Sequence, residues 1–417
     1  MKLPDINDSM ADSSLKFTGK DTGIKSLERQ RILDALTRKL KLKRKFMADA
    51  KEEMAGRVSN LIIGSFGYPN VRTNFMATED YDENENPLLW SKNEASYDLA
   101  KIIELRSTLT SSKTNITIKK GFQADKLKEV SLAKSPVDAE ILYKKRPYVR
   151  MSYDTDLLPY GAEAPLKSMK ITSNPLIDRR VEKVEEDTDL KSDKAITELF
   201  SKGIDEHYIT KVFSAGNLGI KQERRVVPTK WAITAVDDTI GKSLSSNTID
   251  SKEHDYSVQF GGYLGNYYLT IFLPGPWRYE LFETYVGSGL SNPSIYDSAS
   301  DYEDALGRKS YASNTVGGYY ASRLAVLEKL NADKKKASVI VLRFITDEYW
   351  APMGVWVVRE ATRKCMDARP IKASDIDDAL KIAKIIAEQN FNVDLDVIYS
   401  KSKLLKTFKS QKTILNF

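Results

Sequence analysis

The sequence predicts a mixed α/β fold of the α+β kind, with a two-part architecture. Helical and strand patterns are interspersed and include adjacent strand pairs, which argues against a doubly wound parallel sheet. The chain has 417 residues, of which 41% are apolar, enough for two or three domains with packed cores. We therefore expect two α+β regions, preceded by a basic helix and followed by a peptide tail.

Changes in composition place the boundaries of these parts. Between the two α+β regions lies the segment Ser288–Ser310, which is rich in Ser, Asp and Tyr and has little periodicity, as is typical of a connecting loop. The predicted units are a polar arm with the basic helix (1–57), an N-terminal and central α+β region (58–290), the connecting loop (291–312), a C-terminal α+β region (313–404) and the tail (405–417).

Composition excludes several classes of protein. The single cysteine, Cys365, excludes an intrachain disulfide, and with only His207 and His254 beside it no zinc finger is expected. No segment approaches 18 apolar residues, and the opening MKLPDINDSM lacks the apolar run of a secretory signal, so we expect a soluble, cytoplasmic protein with no membrane partner. The net charge of +6 is mild, so any affinity for nucleic acid must come from local patches.

The first regular element expected is an amphipathic helix from Leu27 to about Met54, with Ser26 as its N-cap. Its run RKLKLKRK contains no acid. The six cations, which are the candidate DNA-binding residues, are Arg38, Lys39, Lys41, Lys43, Arg44 and Lys45. Such a run suits a surface that follows phosphates, because each neutralised phosphate releases counterions. A solvated amphipathic helix is the alternative.

The next region predicts strands with a short helix between them. The segment Leu61–Phe75 is an apolar strand broken by Gly64, Gly67 and Pro69, a pattern typical of a tight turn. Further expected elements are a helix starting at Ser96 that buries Leu99, Ile102 and Ile103, and strands at Asn115–Lys119 and Val137–Tyr143. A second basic cluster, KKRPYVR at Lys144–Arg150, combines cations with an aromatic residue and suits phosphate contact with base stacking.

A charged surface segment, Arg179–Lys194, precedes a helix that should end near Gly203. The central stretch Val226–Leu244 follows. Its residues Thr229–Val236 have the β-branched and aromatic content of a strand, with Pro228 at the first position. Because strand ends often carry polar sites, the acids that come directly after this strand are candidate catalytic residues.

These acids are Asp237 and Asp238, and Arg225 and Lys230 precede them as possible phosphate clamps and DNA contacts. Any cofactor is left open by the sequence. If the protein is an enzyme, Mg²⁺ or Mn²⁺ is expected, because carboxylates suit hard cations and histidine is scarce. The alternatives are an acidic turn or a buried ion pair. In strand geometry the two acids would point to opposite faces and could not share an ion.

Beyond the central stretch, Tyr256–Phe260 and Tyr267–Leu273 predict a hairpin across GGYLGN. PGPWRYELFE, from Pro274, predicts a helix or turn. The remaining expected elements are a helix at Gly317–Leu330, strands at Ser338–Phe344 and Gly354–Arg359, and an amphipathic helix capped by Ser374 whose buried face holds Ile376, Ala379, Leu380, Ala383, Ile386 and Ala387.

The last residues of the sequence contain a candidate protein-binding motif. Gln411, Ile414 and Phe417 fit the Q-x-x-h-x-x-a pattern of sliding-clamp binding peptides, although the motif usually has two adjacent aromatics and this one has a single aromatic. In a 3₁₀ turn residues three apart eclipse, so Ile414 and Phe417 would form one apolar plug while Gln411 hydrogen-bonds nearby. Five lysines between Lys401 and Lys412 would complement an acidic partner. The alternative is that the two apolar residues dock on their own domain.

Five segments together resemble the archaeal Nre family of DNA repair proteins. They are GSFGYPNVRTNF, VPTKWAITAVDDTIGKSL, GGYYASRLAVLEKL, VLRFITDEYWAPMGVWVVREATR and QKTILNF, and the resemblance spans roughly Leu61 to Phe417. It implies a two-part family architecture, a role in repair of damaged DNA and docking to a sliding clamp of the proliferating cell nuclear antigen (PCNA) type. We expect the protein to be nucleoid-associated. Many relatives begin with a cysteine-rich zinc motif, which this sequence lacks. The resemblance leaves open whether the protein is a metal-dependent, nuclease-like enzyme or a non-catalytic repair adaptor.

Overall fold

A computed structural model describes residues 52–79, 86–118, 124–148, 161–286, 298–351 and 353–410. The basic run Arg38–Lys45 and the tail residues Gln411, Ile414 and Phe417 lie outside these ranges. The described chain is a mixed α/β protein, as the sequence predicts. Within it, no helix is both long and apolar enough to cross a membrane.

Five strands near the start of the described chain form a closed barrel. They are β1 (Glu53–Ile63), β2 (Asn70–Thr78), β3 (Thr110–Thr117), β4 (Val137–Tyr143) and β5 (Ala162–Ile171). The strands pair in the order β1-β2-β3-β5-β4, and β4 closes the barrel on β1. The β3–β5 pair is parallel and all other neighbours are antiparallel. Alternate residues such as Val71, Phe75 and Ile141 fill the interior, as the period of two along a strand requires.

Three helices join the strands of the barrel: α1 (Pro87–Lys92), α2 (Leu99–Arg106) and α3 (Ala124–Leu132). Helix α3 lies between β3 and β4 and packs Leu127 and Val130 on the barrel core. Helix α2 buries Leu99, Ile102 and Ile103, as predicted. Its N-cap is Asp98, whose carboxylate accepts a hydrogen bond from the Lys101 amide, and not Ser96.

A six-stranded sheet organises the rest of the protein. Its strands are β7 (Ser257–Tyr263), β8 (Asn266–Leu273), β9 (Arg278–Tyr285), β10 (Ala299–Glu303), β12 (Ser338–Ile345) and β13 (Ile371–Lys372), in the order β10-β9-β12-β8-β7-β13. Strand β12 is antiparallel to β8 and parallel to β9. The short strands β6 (Lys252–Glu253) and β11 (Lys335–Lys336) form a separate parallel pair. The predicted hairpin is confirmed as β7–β8.

Helices cover both faces of this sheet. One layer holds α4 (Arg179–Glu186), α5 (Ser192–Ser201), α6 (Glu206–Ser214), α7 (Thr229–Asn247), α8 (Val316–Asp333) and α9 (Val355–Asp367). The other holds α10 (Ile376–Phe391), α11 (Asp396–Lys401) and α12 (Lys403–Ser410). Successive residues of β8 alternate between the two cores, with Tyr268 and Phe272 on the first and Leu269 and Ile271 on the second. A strand buried on both faces is expected to be a continuous apolar run.

Two predicted strands are wrong, because both are buried helices. Thr229–Val236 lies in α7, whose 19 residues bury Ala232, Val236, Ile240 and Leu244 at a spacing of four. Gly354–Arg359 begins α9, in which nine of 13 residues are buried. β-Branched residues favour strands only weakly, and burial against neighbouring helices overrides that preference.

Two other segments contain strands that the sequence does not predict. The segment from Pro274, predicted as a helix or turn, contains β9, and the segment predicted as the connecting loop contains β10, which pairs with β9. Strand β9 contains two glutamates, and glutamate is typical of exposed segments rather than of buried strands. Both Glu280 and Glu283 point to partners that are distant in sequence, Ser402 and Arg343.

Candidate functional site

Helix α7 directs the two candidate acids to different neighbours. Adjacent helical residues are separated by about 100° around the axis, so side chains at 237 and 238 diverge. Asp237 is fully buried and faces α9, whereas Asp238 faces α8 and is 11% exposed. The structure thus does not bring the two carboxylates to one point, for a reason that differs from the strand geometry expected from the sequence.

Asp237 binds an arginine that is itself buried. Both carboxylate oxygens accept from Nη2 of Arg359 at 2.7 Å, and the arginine side chain is 2% exposed. Nη1 of Arg359 lies 3.4 Å from Oε1 of Glu206, at the start of α6. This arginine therefore joins α6, α7 and α9 through two carboxylates in a space closed to water.

A second arginine extends this charge network. Nη1 of Arg363 donates to Oε1 of Glu206 at 2.9 Å and to Oε1 of Glu360 at 2.7 Å. Its Nε and Nη2 bind the two oxygens of Glu328 on α8, at 2.9 and 2.7 Å. Oε2 of Glu360 accepts from the Ser91 hydroxyl of α1 at 2.6 Å. We call the set of Ser91, Glu206, Asp237, Glu328, Arg359, Glu360 and Arg363 the buried charge network.

The network contains four carboxylates and two guanidinium groups, and the pKa values follow from that imbalance. Burial raises the pKa of Asp237 to about 6, against the opposing effect of Arg359. Burial also acts to raise the pKa of Glu206, but Arg359 and Arg363 together lower it below its ordinary value. Two guanidiniums touch Glu206 and one touches Asp237, which accounts for the opposite directions.

The raised pKa of Asp237 predicts a pH-dependent contribution to stability. An acid whose folded pKa of about 6 exceeds its ordinary value of 3.8 stabilises the fold fully below pH 3.8, and loses that contribution as pH rises through 6. The free energy of unfolding of the native protein, relative to Asp237→Asn, should therefore fall by about 2 kcal/mol between pH 4 and pH 7. Urea unfolding of both proteins across this range measures it. A difference that stays constant, or that grows with pH, would contradict the assignment.

Asp238 belongs to a second set of ion pairs. It accepts from Nζ of Lys242 at 2.6 Å, one helical turn along α7, and lies 3.9 Å from Nη1 of Arg323 on α8. Nε of Arg323 donates to Oε1 of Glu303 at 2.7 Å. A Cβ at Gly241 would lie 2.4 Å from Nη1 of Arg323. The absence of a side chain at Gly241 therefore lets the arginine approach α7.

The two candidate phosphate clamps lie apart from the buried acids. Arg225 and Lys230 are half-buried where the chain enters α7. Lys230 precedes Asp237 by seven residues, which is about 10 Å along a helix. Their neighbour Arg224 anchors this entry, since it donates to the Gly219 carbonyl at 2.7 Å and to Glu185 at 3.0 Å. The structure does not bring these cations to Asp237.

One group of side chains in the described residues has the composition of a metal site. Ligand atoms of Glu206, His207 and Glu360 lie within 4.8 Å of one another. Burial lowers the pKa of His207, which favours a neutral imidazole, and its Nε2 is 3.6 Å from Glu206. However, Arg363 occupies both carboxylates. A divalent cation would have to sit against that guanidinium, so we assign these acids to ion pairing.

Most of the buried charge network has no local signal in the sequence. Arg359 and Asp237 are 122 positions apart, and Arg359 lies in a segment predicted to be a strand. What the sequence does show is a charged pattern, VVREATR, within an otherwise apolar run. Charged residues among buried ones need partners, and this rule could have marked Arg359 and Glu360 as paired.

Comparison with protein families matches two parts of the chain. Residues 27–292 match the family described as archaeal Nre, N-terminal, and residues 303–417 match archaeal Nre, C-terminal. No solved structure matches.

Three curated proteins are similar over most of their length. The chain is 32% identical over 347 residues to DNA repair protein NreA of Haloferax volcanii, covering 79% of this chain and 82% of that protein. It is 33% identical over 364 residues to DNA repair protein NreB of Archaeoglobus fulgidus, covering 86% and 90%. A second Archaeoglobus fulgidus protein, DNA repair protein NreA, is 32% identical over 356 residues, covering 84% and 88%.

Proposed function

Because this chain belongs to the archaeal Nre family, we propose that it is a DNA repair protein that acts on damaged DNA and is recruited to a PCNA-type sliding clamp. The observation that carries the repair role is the similarity to three proteins named for DNA repair, each aligned over at least 82% of its own length. The recruitment step rests on the motif formed by Gln411, Ile414 and Phe417.

The position of α12, the last described helix, supports recruitment through this motif. The buried Glu280 of β9 anchors α12, since its carboxylate accepts from the Ser402 hydroxyl at 2.5 Å and from the Lys403 and Leu404 amides at 2.9 and 3.0 Å. The other end of α12, at Ser410, is exposed. The described chain therefore ends at the surface, at the residue before Gln411.

Removing the residues after Ser410 is expected to weaken clamp binding at least tenfold. Burying two large apolar groups gives on the order of 3–5 kcal/mol before ordering costs, which is consistent with micromolar binding. Titration calorimetry with the cognate clamp, using the full chain and the shortened chain, measures the difference.

The double variant Ile414→Ala, Phe417→Ala should bind the clamp as weakly as the shortened chain does. The matched control is Lys412→Ala, which keeps Ile414 and Phe417 and should bind within about threefold of the native chain, because a single lysine among five contributes little to the attraction of an acidic partner. Equal affinity of the native and shortened chains would refute recruitment through this motif.

We propose further that DNA is held mainly by phosphate contacts, from Arg38–Lys45 and from the basic cluster at Lys144–Arg150, with Arg225 and Lys230 as additional cations. A metal-dependent, nuclease-like enzyme using Asp237 and Asp238 with Mg²⁺ or Mn²⁺ remains the alternative to a non-catalytic adaptor. The pairing of Asp237 with Arg359 favours the adaptor, because a carboxylate held by a buried arginine has its oxygens already occupied.

A further inference from the structure

The connectivity of the barrel is the first of three observations on its outer face. Five strands pair as β1-β2-β3-β5-β4, β3 and β5 are parallel, and α3 lies between β3 and β4. This is a five-stranded Greek-key barrel of the oligonucleotide- and oligosaccharide-binding type, in which ligands bind across the second and third strands and the adjoining loops. A fold does not by itself assign a function, so the side chains on that face decide what it binds.

The second observation is a basic groove on that face. It has a volume of about 550 Å³, and Arg72 of β2 lies opposite Asn115 of β3 at one side of it. Among the described residues, three cations line it, Arg72, Lys113 and Lys144, against one carboxylate, Glu163. That carboxylate is buried, forms an ion pair with Lys113 and accepts from the Tyr148 hydroxyl at 2.9 Å. The lining is therefore net positive, and its acid is already compensated.

The third observation is exposed aromatic surface in the groove and in the turn that leads into β2. Tyr148 lines the groove and is 46% exposed, and Phe66, in the β1–β2 turn six residues before Arg72, is 95% exposed. Tyr68 of the same turn packs on Trp231 of α7 with ring centroids 5.3 Å apart, which fixes the turn against the helical layer. Gly67, at φ +81°, provides the left-handed residue that the turn requires. At 95% exposure, Phe66 contributes little to the packing of the fold.

We infer that this face of the barrel binds single-stranded DNA. Phe66 and Tyr148 stack on bases, while Arg72 and Lys144 contact phosphates, the combination of aromatic platforms and a basic groove that tracks a single strand. A duplex hides the faces of its bases, so stacking selects unpaired strands. The choice of DNA rests on the proposed repair function; the binding of a single strand rests on the barrel.

Fluorescence anisotropy of the full chain with a labelled 20-nucleotide oligo(dT) and with a blunt duplex of 20 base pairs tests this inference. Phe66→Ala should weaken binding to oligo(dT) at least fivefold, because stacking is worth that much per base, and Phe66→Trp should restore it. Arg72→Ala with Lys144→Ala should make the slope of log K against log salt shallower by about 1.4, since each phosphate contact on a single strand contributes about 0.7.

Two matched controls separate the groove from general surface effects. Leu306→Ala removes an equally exposed apolar side chain, and Lys170→Ala removes an exposed lysine of β5, opposite Glu140 in the β4–β5 pair. Both should leave affinity and salt slope unchanged. The inference fails if Phe66→Ala binds oligo(dT) like the native chain, if Lys170→Ala flattens the slope equally, or if the native chain prefers the duplex.

Failure of this inference is distinguishable from failure of the proposed function. Charge reversal at Lys41, Lys43 and Arg44 should weaken binding to oligo(dT) and to duplex alike, and shortening the chain after Ser410 should affect the clamp alone. Groove variants should affect oligo(dT) selectively. Tighter binding of oligo(rU) than of oligo(dT) would overturn the choice of DNA while leaving the clamp result untouched.

Discussion

Arg359→Met is expected to lower the free energy of unfolding by about 3–5 kcal/mol, because it leaves Asp237 and Glu206 as buried carboxylates with one counter-charge fewer. Methionine keeps the length and apolar stem of the side chain, so the loss reports mainly on charge. Urea unfolding at pH 7 measures the change, and a variant that fails to accumulate folded protein at 37 °C but folds at lower temperature would agree with it.

A second cation of the same helix provides the control. Lys364→Met makes a similar change five positions further along α9, but Lys364 is 29% exposed and pairs with Glu94 at 3.3 Å, so it should cost at most about 1 kcal/mol. The double variant Arg359→Met, Asp237→Leu should be more stable than Arg359→Met alone, because it removes the carboxylate that was left unpaired. Strictly additive effects of the two substitutions would show that they do not interact.

Glu280→Leu is expected to release α12 from the sheet. The substitution removes the acceptor of three donors at the start of the helix, which should cost about 3 kcal/mol and raise the undocked fraction of α12 roughly a hundredfold. Trypsin cleavage at Lys403 and Lys406 measures that fraction. Clamp affinity should hardly change, because Gln411, Ile414 and Phe417 are untouched.

The trypsin cleavage rate of Glu280→Gln should lie between those of the native protein and Glu280→Leu, because the glutamine amide oxygen remains as one acceptor. Glu388→Leu makes the same chemical change at an exposed position of α10 and should leave cleavage unaltered. Equal cleavage rates of Glu280→Leu and the native protein would mean that the core packing of Leu404 and Leu405, two residues of α12, holds the helix in place without the carboxylate.

Much of the fold could be predicted from local pattern. The β7–β8 hairpin, helix α8 and the buried face of α10 follow from periodicity within single segments, and the structure confirms each. Helix α7 differs from the predicted strand because five of the eight residues in Thr229–Val236 are β-branched or aromatic, whereas the spacing of four that continues from Ala232 to Leu244 indicates a helix. The helix is therefore predicted by the spacing of apolar residues over the longer segment Thr229–Asn247.

The candidate site was less predictable, for a different reason. The sequence predicts Asp237 as a candidate catalytic acid, but its partner Arg359 is 122 positions away and no local pattern joins the two residues. The basic face of the barrel was visible only in part, as the cluster at Lys144–Arg150. Arg72 and Lys113 reach that face because β2 and β3 pair in one register, and pairing between strands is not encoded in either strand alone.

The position of β12, between β8 and β9, has a consequence for synthesis of the chain. Translation completes β9 about 50 residues before β12 begins, a delay of roughly 3–10 s at cellular elongation rates. Throughout that delay the inner edges of β8 and β9 carry unpaired amides and carbonyls, which are templates for pairing with another nascent chain. Rapid elongation through residues 286–337 therefore shortens the interval in which the half-built sheet can aggregate, and a ribosome pause there lengthens it.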